Sequence, residues 1–329
     1  MKKRNRVLAL TMAAAMSASL LAGCGSSTQQ DGAAASSEAL ASTTAAADGE
    51  EDNIIRVGVV CSMTGGSAIY GEGAQNAIDM AVEEINGGDS GYKIEIVNGG
   101  KVADDAKDAK QAMNAYNKVM ADSPEAIVGS FFSSVTLPMA EQASKDGMLL
   151  LATGATNADV TLKGDTIFRN CFIDPYQGEK MATYASEKLG AKTAAVFYQT
   201  GNDYSEGLMN AFVEKAKALG IEIVDSEAFA EGDKDFKAQM TNIAAKAPDV
   251  VFAPIYYAEA GLAITAARAA GCTSTFMGGD GFGSVKNYAS ADDLEGSVYC
   301  SGYAPGTDIM FAMDPASTEF YNAESGRYV

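Results

Sequence analysis

The chain is predicted to be an α/β protein of two Rossmann-like lobes joined by a hinge, each lobe built on a parallel sheet. Three observations predict it. Short β-rich runs alternate with amphipathic helical stretches from about residue 54 to 277. That order of runs is written twice. The Tyr70-Gly-Glu-Gly73 of the first copy and the Tyr204-Ser-Glu-Gly207 of the second read as occupying the same loop, after the first strand. Strand–helix alternation at this spacing implies right-handed βαβ units and parallel sheets covered on both faces.

The elements follow in order. Arg56–Cys61 is an apolar run that reads as a strand, followed by a Gly/Ser loop, Ser62 to Ser67. Ala74 to Ile85 reads as a helix, with Ala77, Met80, Ala81 and Ile85 on one stripe. Tyr92–Val97 alternates as a strand, Asp104–Met120 has helical spacing, and Ala126–Phe132 reads as a buried strand. A helix over Val135–Asp146 and a strand over Met148–Ala152 complete the first copy. In the second copy the strands are Thr193–Tyr198, Ile221–Val224, Val250–Ala253 and Thr275–Met277. Its helices are Leu208–Leu219, Asp235–Lys246 and Ala258–Ala270. The expected lobes are residues 53–172 and 173–302, and 303–329 reads as a segment returning toward the first lobe.

The amino-terminal end predicts the compartment. Lys2, Lys3, Arg4 and Arg6 precede an apolar run, Val7–Leu21, that is too short to span a membrane, which takes ~20 apolar residues. Leu21-Ala-Gly-Cys24 at its end resembles the bacterial lipobox. By that resemblance residues 1–23 are a signal peptide, and Cys24 becomes a lipidated amino terminus on the outer face of the membrane. Residues 24–52, rich in Ala, Ser, Thr, Gly and acids, hold too little apolar surface to fold and read as a disordered tether.

Composition excludes several functions. The formal charge is -19, and more negative still without the four basic signal residues, so nothing suits nucleic acid. Histidine is absent, which removes Ser-His-Asp and Cys-His catalysis and histidine metal sites. The five cysteines, at 24, 61, 171, 272 and 300, make no CxxC pair. Free thiols are expected, with Cys272–Cys300 the one pair considered for a bridge. Gly71-Glu-Gly73 breaks the dinucleotide fingerprint at Asn76, and no Walker lysine follows a glycine-rich segment. No enzyme, cofactor or metal is expected, and the protein is expected to be a monomer.

In open α/β sheets, ligands bind beyond the carboxyl ends of the strands. Those ends carry Tyr70, Phe131-Phe132-Ser133-Ser134 and Thr153-Gly154-Ala155-Thr156 in the first copy, and Tyr204, Tyr256-Tyr257 and Asp280 in the second. A helix after Ser133 and Ser134 would aim free N–H groups at an anion. Read locally, Ser134 serves equally as a helix cap and Asp280 as a turn residue.

Taken together, Gly129–Pro138, Ala152–Thr156, Asp203-Tyr204, Glu231–Phe236, Ala266–Gly271 and Phe276–Gly281 resemble the leucine/isoleucine/valine-binding proteins of ABC importers. These have the type 1 periplasmic binding fold. The resemblance implies that Ser133 and Thr156 bind an amino acid's carboxylate. It implies that the Gly154 carbonyl and Asp280 take its ammonium, with Ala155 on the same loop. Tyr70, Phe132, Tyr204 and Tyr256 would line the side-chain pocket. The implied function is capture of a branched-chain or other apolar amino acid and its delivery to a permease. A sensor, or a binder of an amide, urea or an aromatic acid, is the alternative on the same fold. Three positions depart from the family's pattern: Ser205 in place of glycine, the bulky Phe131-Phe132 pair, and aspartate rather than glutamate at 280. Family members also continue past the position of Val329, so the chain reads as truncated.

Overall fold

A computed structural model describes residues 53–302. The expected signal peptide, lipidated Cys24, tether and return segment lie outside the described residues.

The first sheet runs β2-β1-β4-β5-β6, with β3 also paired to β1. Its strands are β1 (Ile54–Cys61), β2 (Lys93–Ile96), β3 (Ala103–Asp104), β4 (Ala126–Gly129), β5 (Leu149–Ala152) and β6 (Ile167–Arg169). Every pairing is parallel, β1 and β4 matching Val57 with Ala126 and Val59 with Val128. The crossover helices are α1 (Ala68–Gly87), a distorted turn α2 (Val97–Gly100), α3 (Ala109–Met120) and α4 (Ser133–Asp146). Alternate residues of β1 face opposite ways. Val57, Val59 and Cys61 join Ile78 of α1, while Val60 joins Tyr116, Ile127 and Met139 in the core.

The second sheet runs β11-β10-β9-β7-β8, again all parallel. Its strands are β7 (Thr193–Gln199), β8 (Glu222–Phe229), β9 (Val250–Phe252), β10 (Thr275–Gly278) and β11 (Val298–Tyr299). Helices α5 (Asp174–Glu187), α6 (Asp203–Ala218), α7 (Lys237–Lys246), α8 (Tyr257–Ala269) and the one-turn α9 (Ala291–Leu294) complete it. Phe197, Phe229 and Phe236 form one aromatic layer against α7, and Phe212 stacks on Phe252 beneath α6. The four described cysteines are free thiols.

Several element boundaries correct the sequence reading. The helix expected from Asp104 begins at Ala109, because Asp104 completes β3 and the Asp108 carboxylate caps the helix at the Gln111 N–H (2.8 Å). Tyr70 and Tyr204 are not in loops. They sit in the first turns of α1 and α6, which start earlier than their apolar stripes suggest. Asn202 sets the α6 start by accepting the Ser205 N–H at 3.0 Å. Strand β4 stops at Gly129 rather than Phe132, and α4 starts at Ser133 with Phe132 at the cap position. Ser134 is therefore not the cap. Strands β6 and β11 and helix α5 were not read from sequence at all. Helix α5 begins Asp174-Pro175, a start signal in its own right, and buries Gln177, Gly178, Met181, Ala182 and Ala185.

Among the described residues, one face of the first sheet borders a cavity. It is apolar, about 1000 Å³, lies between α1 and the sheet, is lined by Val57, Ile78, Ile94, Ile96, Val128 and Leu151, and reaches Tyr70, Phe131 and Asp280.

Candidate ligand site

All the expected site residues lie at carboxyl ends of strands. Ser133 opens α4 after β4, Gly154, Ala155 and Thr156 follow β5, and Tyr70 stands at the start of α1 after β1. From the second sheet, Tyr204 follows β7, Tyr256 caps α8 after β9, and Asp280 begins a 3-10 turn after β10. Ser133, Gly154, Tyr204, Tyr256 and Asp280 line one small cavity together with Phe131 and Gly281.

The first-sheet side of this cavity supplies donors. Ser133 is 1% exposed, and its Oγ accepts the Asn157 N–H at 3.1 Å, which leaves the hydroxyl proton free to donate elsewhere. The Thr156 hydroxyl is buried without a hydrogen-bond partner. The loop carrying Thr156 is fixed by Arg169 of β6. Its guanidinium donates to the carbonyls of Ala155 (3.1 Å), Asn157 (2.6 Å) and Ala158 (2.9 Å) and to Thr161 Oγ1 (3.0 Å). Beneath Ser133, the buried Asp105 accepts from the Ser62 and Ser130 hydroxyls and ties β1, β3 and β4 together at their ends.

The second-sheet side supplies the acid. Asp280 Oδ1 accepts from the Tyr204 hydroxyl at 2.8 Å and from Gln177 Nε2 at 3.2 Å. Tyr204 in turn accepts the Gly281 N–H at 2.9 Å, and the Gln177 side-chain oxygen accepts the Asp280 N–H at 2.9 Å. Burial raises the Asp280 carboxyl above its ordinary range, and these hydrogen bonds pull it back. Burial, reinforced by the charge of Asp280, likewise keeps the Tyr204 phenol protonated.

An aromatic wall closes the site. Tyr204 stacks on Tyr256 (4.9 Å between ring centroids), and Phe132 meets Tyr256 edge-on at 5.1 Å. Tyr70 stacks on Phe131 at 4.4 Å. The Phe131 ring lies directly over Gly154, where an added Cβ would fall 2.5 Å from it. The Tyr70 hydroxyl donates to the Gly281 carbonyl at 3.0 Å, and the Tyr257 hydroxyl to Gly66 at 2.5 Å. These bonds join the two sheets' loops, and the remaining cavity is about 10 Å³.

Four residues in or beside this site were missed from sequence: Gln177, Arg169, Asp174 and Lys107. The Lys107 ammonium sits 4.1 Å above the Tyr256 ring and 5.2 Å above Phe132. Burial lowers its pKa. A helix-start signal at Asp174-Pro175 would have found α5. Nothing local marks the other three.

The comparisons with known proteins agree with this architecture. Residues 54–328 match the family described as periplasmic binding protein. The Leu/Ile/Val-binding protein BraC3 of Rhizobium johnstonii is 33% identical over 277 residues, covering 82% of this chain and 74% of that protein. The leucine binding protein LivK of Thermotoga maritima superposes with a TM-score of 0.72 at 29% identity, over 81% of this chain and 76% of its own. The LivJ substrate binding protein of Streptococcus pneumoniae, solved with isoleucine, gives a TM-score of 0.71 at 32% identity, over 78% and 73%. The chain belongs to the periplasmic binding protein family, among the relatives of the Leu/Ile/Val-binding proteins.

Proposed function

We propose that this protein is the lipid-anchored substrate-binding component of an ABC importer. It captures an amino acid with an apolar side chain, foremost a branched-chain one, between its lobes and presents it to a permease. One observation carries the reading. The Ser133 hydroxyl lines the cavity from the first sheet, with Thr156 on the neighbouring loop after β5, and Asp280 lines it from the second. A zwitterion taken out of water needs both of its charges met, and this arrangement meets one from each lobe. The names of the relatives point the same way. Two of them are leucine or Leu/Ile/Val binders, and a third was solved holding isoleucine.

The Phe131 ring over Gly154 favours a second choice of ligand within the same class. A ligand must move that ring, and an aromatic side chain would regain the stacking that Phe131 makes with Tyr70.

A thermal-shift screen of the purified protein against leucine, isoleucine, valine, phenylalanine, amides, urea and benzoate tests both. A ligand at a hundred times its Kd should raise Tm by about 5–10 °C. A response to the branched-chain set supports the first choice, and a response to phenylalanine alone supports the second. A cooperative melt that no amino acid moves would end the reading. The anchor is tested separately: Cys24→Ala should shift the protein from the membrane fraction to the soluble one, and no shift would remove the lipid from the account.

A further inference from the structure

The loop between β3 and α3 holds a lysine in a strained place. Ala106 and Lys107 stand in succession at φ of 50° and 55°, the left-handed region that non-glycine residues rarely adopt. Hydrogen bonds hold the turn. Asp104 Oδ1 accepts the Ala106 N–H at 2.9 Å, and Asp105 Oδ1 accepts the Lys107 N–H at 2.9 Å. The Asp105 carbonyl accepts the Asp108 N–H at 2.9 Å. Glycine would take this backbone without strain. A lysine there is explained by what its side chain reaches.

The ammonium lies 4.1 Å from the centroid of the Tyr256 ring and 5.2 Å from that of Phe132. Phe132 caps α4 after a strand of the first sheet, and Tyr256 caps α8 after a strand of the second. The lysine thus rises from the first sheet's loops and covers a ring from each side. The side chain has lost much of its water, and the negative ring faces stand in for it. The acids that favour its charge, Glu231 after β8 and Glu259 in the first turn of α8, also come with the second sheet.

The wall it covers is the one that closes the site. Tyr256 stacks on Tyr204, whose hydroxyl donates to Asp280. When the two sets of loops part, Lys107 travels with Phe132 and leaves Tyr256, Glu231 and Glu259 behind. A contact made in one form alone shifts the balance toward that form by its own strength. Lys107 lines no part of the small cavity, so its effect falls on opening and not on recognition.

We propose that Lys107 is a positioning residue that latches the closed site: acting through Tyr256, its ammonium sets how long a captured amino acid is retained. The inference rests on the amino-acid reading above.

Release of radiolabelled L-leucine and L-phenylalanine from the full protein into excess unlabelled ligand, measured with the association rate, tests this. Lys107→Met keeps the apolar stem and removes the charge. It should speed release by about 3- to 30-fold without slowing association. Lys107→Arg keeps a cation that stacks on rings, and its release should stay within about twofold of wild type. Release from Lys107→Met at the wild-type rate would overturn the proposal, and so would Lys107→Arg releasing as fast as Lys107→Met. Slowed association with unchanged release would overturn it too, since that marks a damaged site and not a lost latch. Should Lys107→Met not fold, Lys107→Gln is judged by the same readings. If wild type binds neither amino acid, the amino-acid reading fails and this inference with it. Binding whose release is indifferent to residue 107 sinks the latch alone.

Discussion

Ser133 accepts one N–H and, in the proposed scheme, offers its own proton to the ligand. Its partner in the proposed scheme, Asp280, spends one oxygen on Tyr204 and Gln177. Each is therefore half-committed, which is what a site needs before its ligand arrives. Removing either should cost affinity in proportion to the charge it meets. Ser133→Ala loses one hydrogen bond to a carboxylate, about 1.5–3 kcal/mol, or roughly 10- to 100-fold in Kd. Asp280→Asn takes a negative charge from beside the ammonium and should cost more than that. Equal Kd values in titrations of wild type and either variant would remove the residue from the site. At this scale the sequence was informative where a motif was contiguous. Ser133, Gly154, Thr156 and Asp280 sit in short stretches that resemble the family. Gln177 reaches Asp280 across 103 positions, and Lys107 reaches Tyr256 from another sheet. Such pairs are created by topology, and no local pattern announces them.

Elements were legible when their apolar period was strong. Helix α3, with Ala112, Ala115, Tyr116 and Val119 buried, was found with its end at Met120. Helix α5 was missed because its buried face is made of Gln177, Gly178, Ala182 and Ala185 with only one large apolar side chain, Met181. That small-residue face has a purpose. A Cβ on Gly178 would fall 2.7 Å from the Ala211 Cβ, 2.8 Å from the Phe212 nitrogen and 2.9 Å from the Leu208 carbonyl oxygen. Helix α6 thus packs backbone-close on α5, which is how Gln177 and Tyr204 come to share one carboxylate. Gly178→Leu should force the helices apart and destabilise the protein by about 1–3 kcal/mol, lowering Tm by several degrees. It should also weaken ligand binding although position 178 touches no ligand. A melt and a titration unchanged from wild type would show that the helix pair tolerates separation.

For the molecule as a whole, the doubled order of runs revealed two parallel sheets with their carboxyl ends meeting. It could not show how closely they meet. The Tyr70–Gly281 and Tyr257–Gly66 hydrogen bonds, with Phe131 laid over Gly154, describe a shut cleft. Binding at the proposed site would require the lobes to part, a hinge motion. Nor could the sequence show the apolar cavity beside α1, which arises from strands and a helix distant in the chain. The cleft's aromatic lining has an optical consequence. The chain has 14 tyrosines and no tryptophan, so its ultraviolet emission is tyrosine emission alone. Tyr70, Tyr204, Tyr256 and Tyr257 crowd the mouth of the site, and Tyr204 is bonded to a carboxylate that a ligand's ammonium would claim. Opening, filling and closing each change the surroundings of these phenols. If the proposed site is right, titration with ligand should change this tyrosine emission without any label, and an unchanged emission at saturation would count against these phenols lining it.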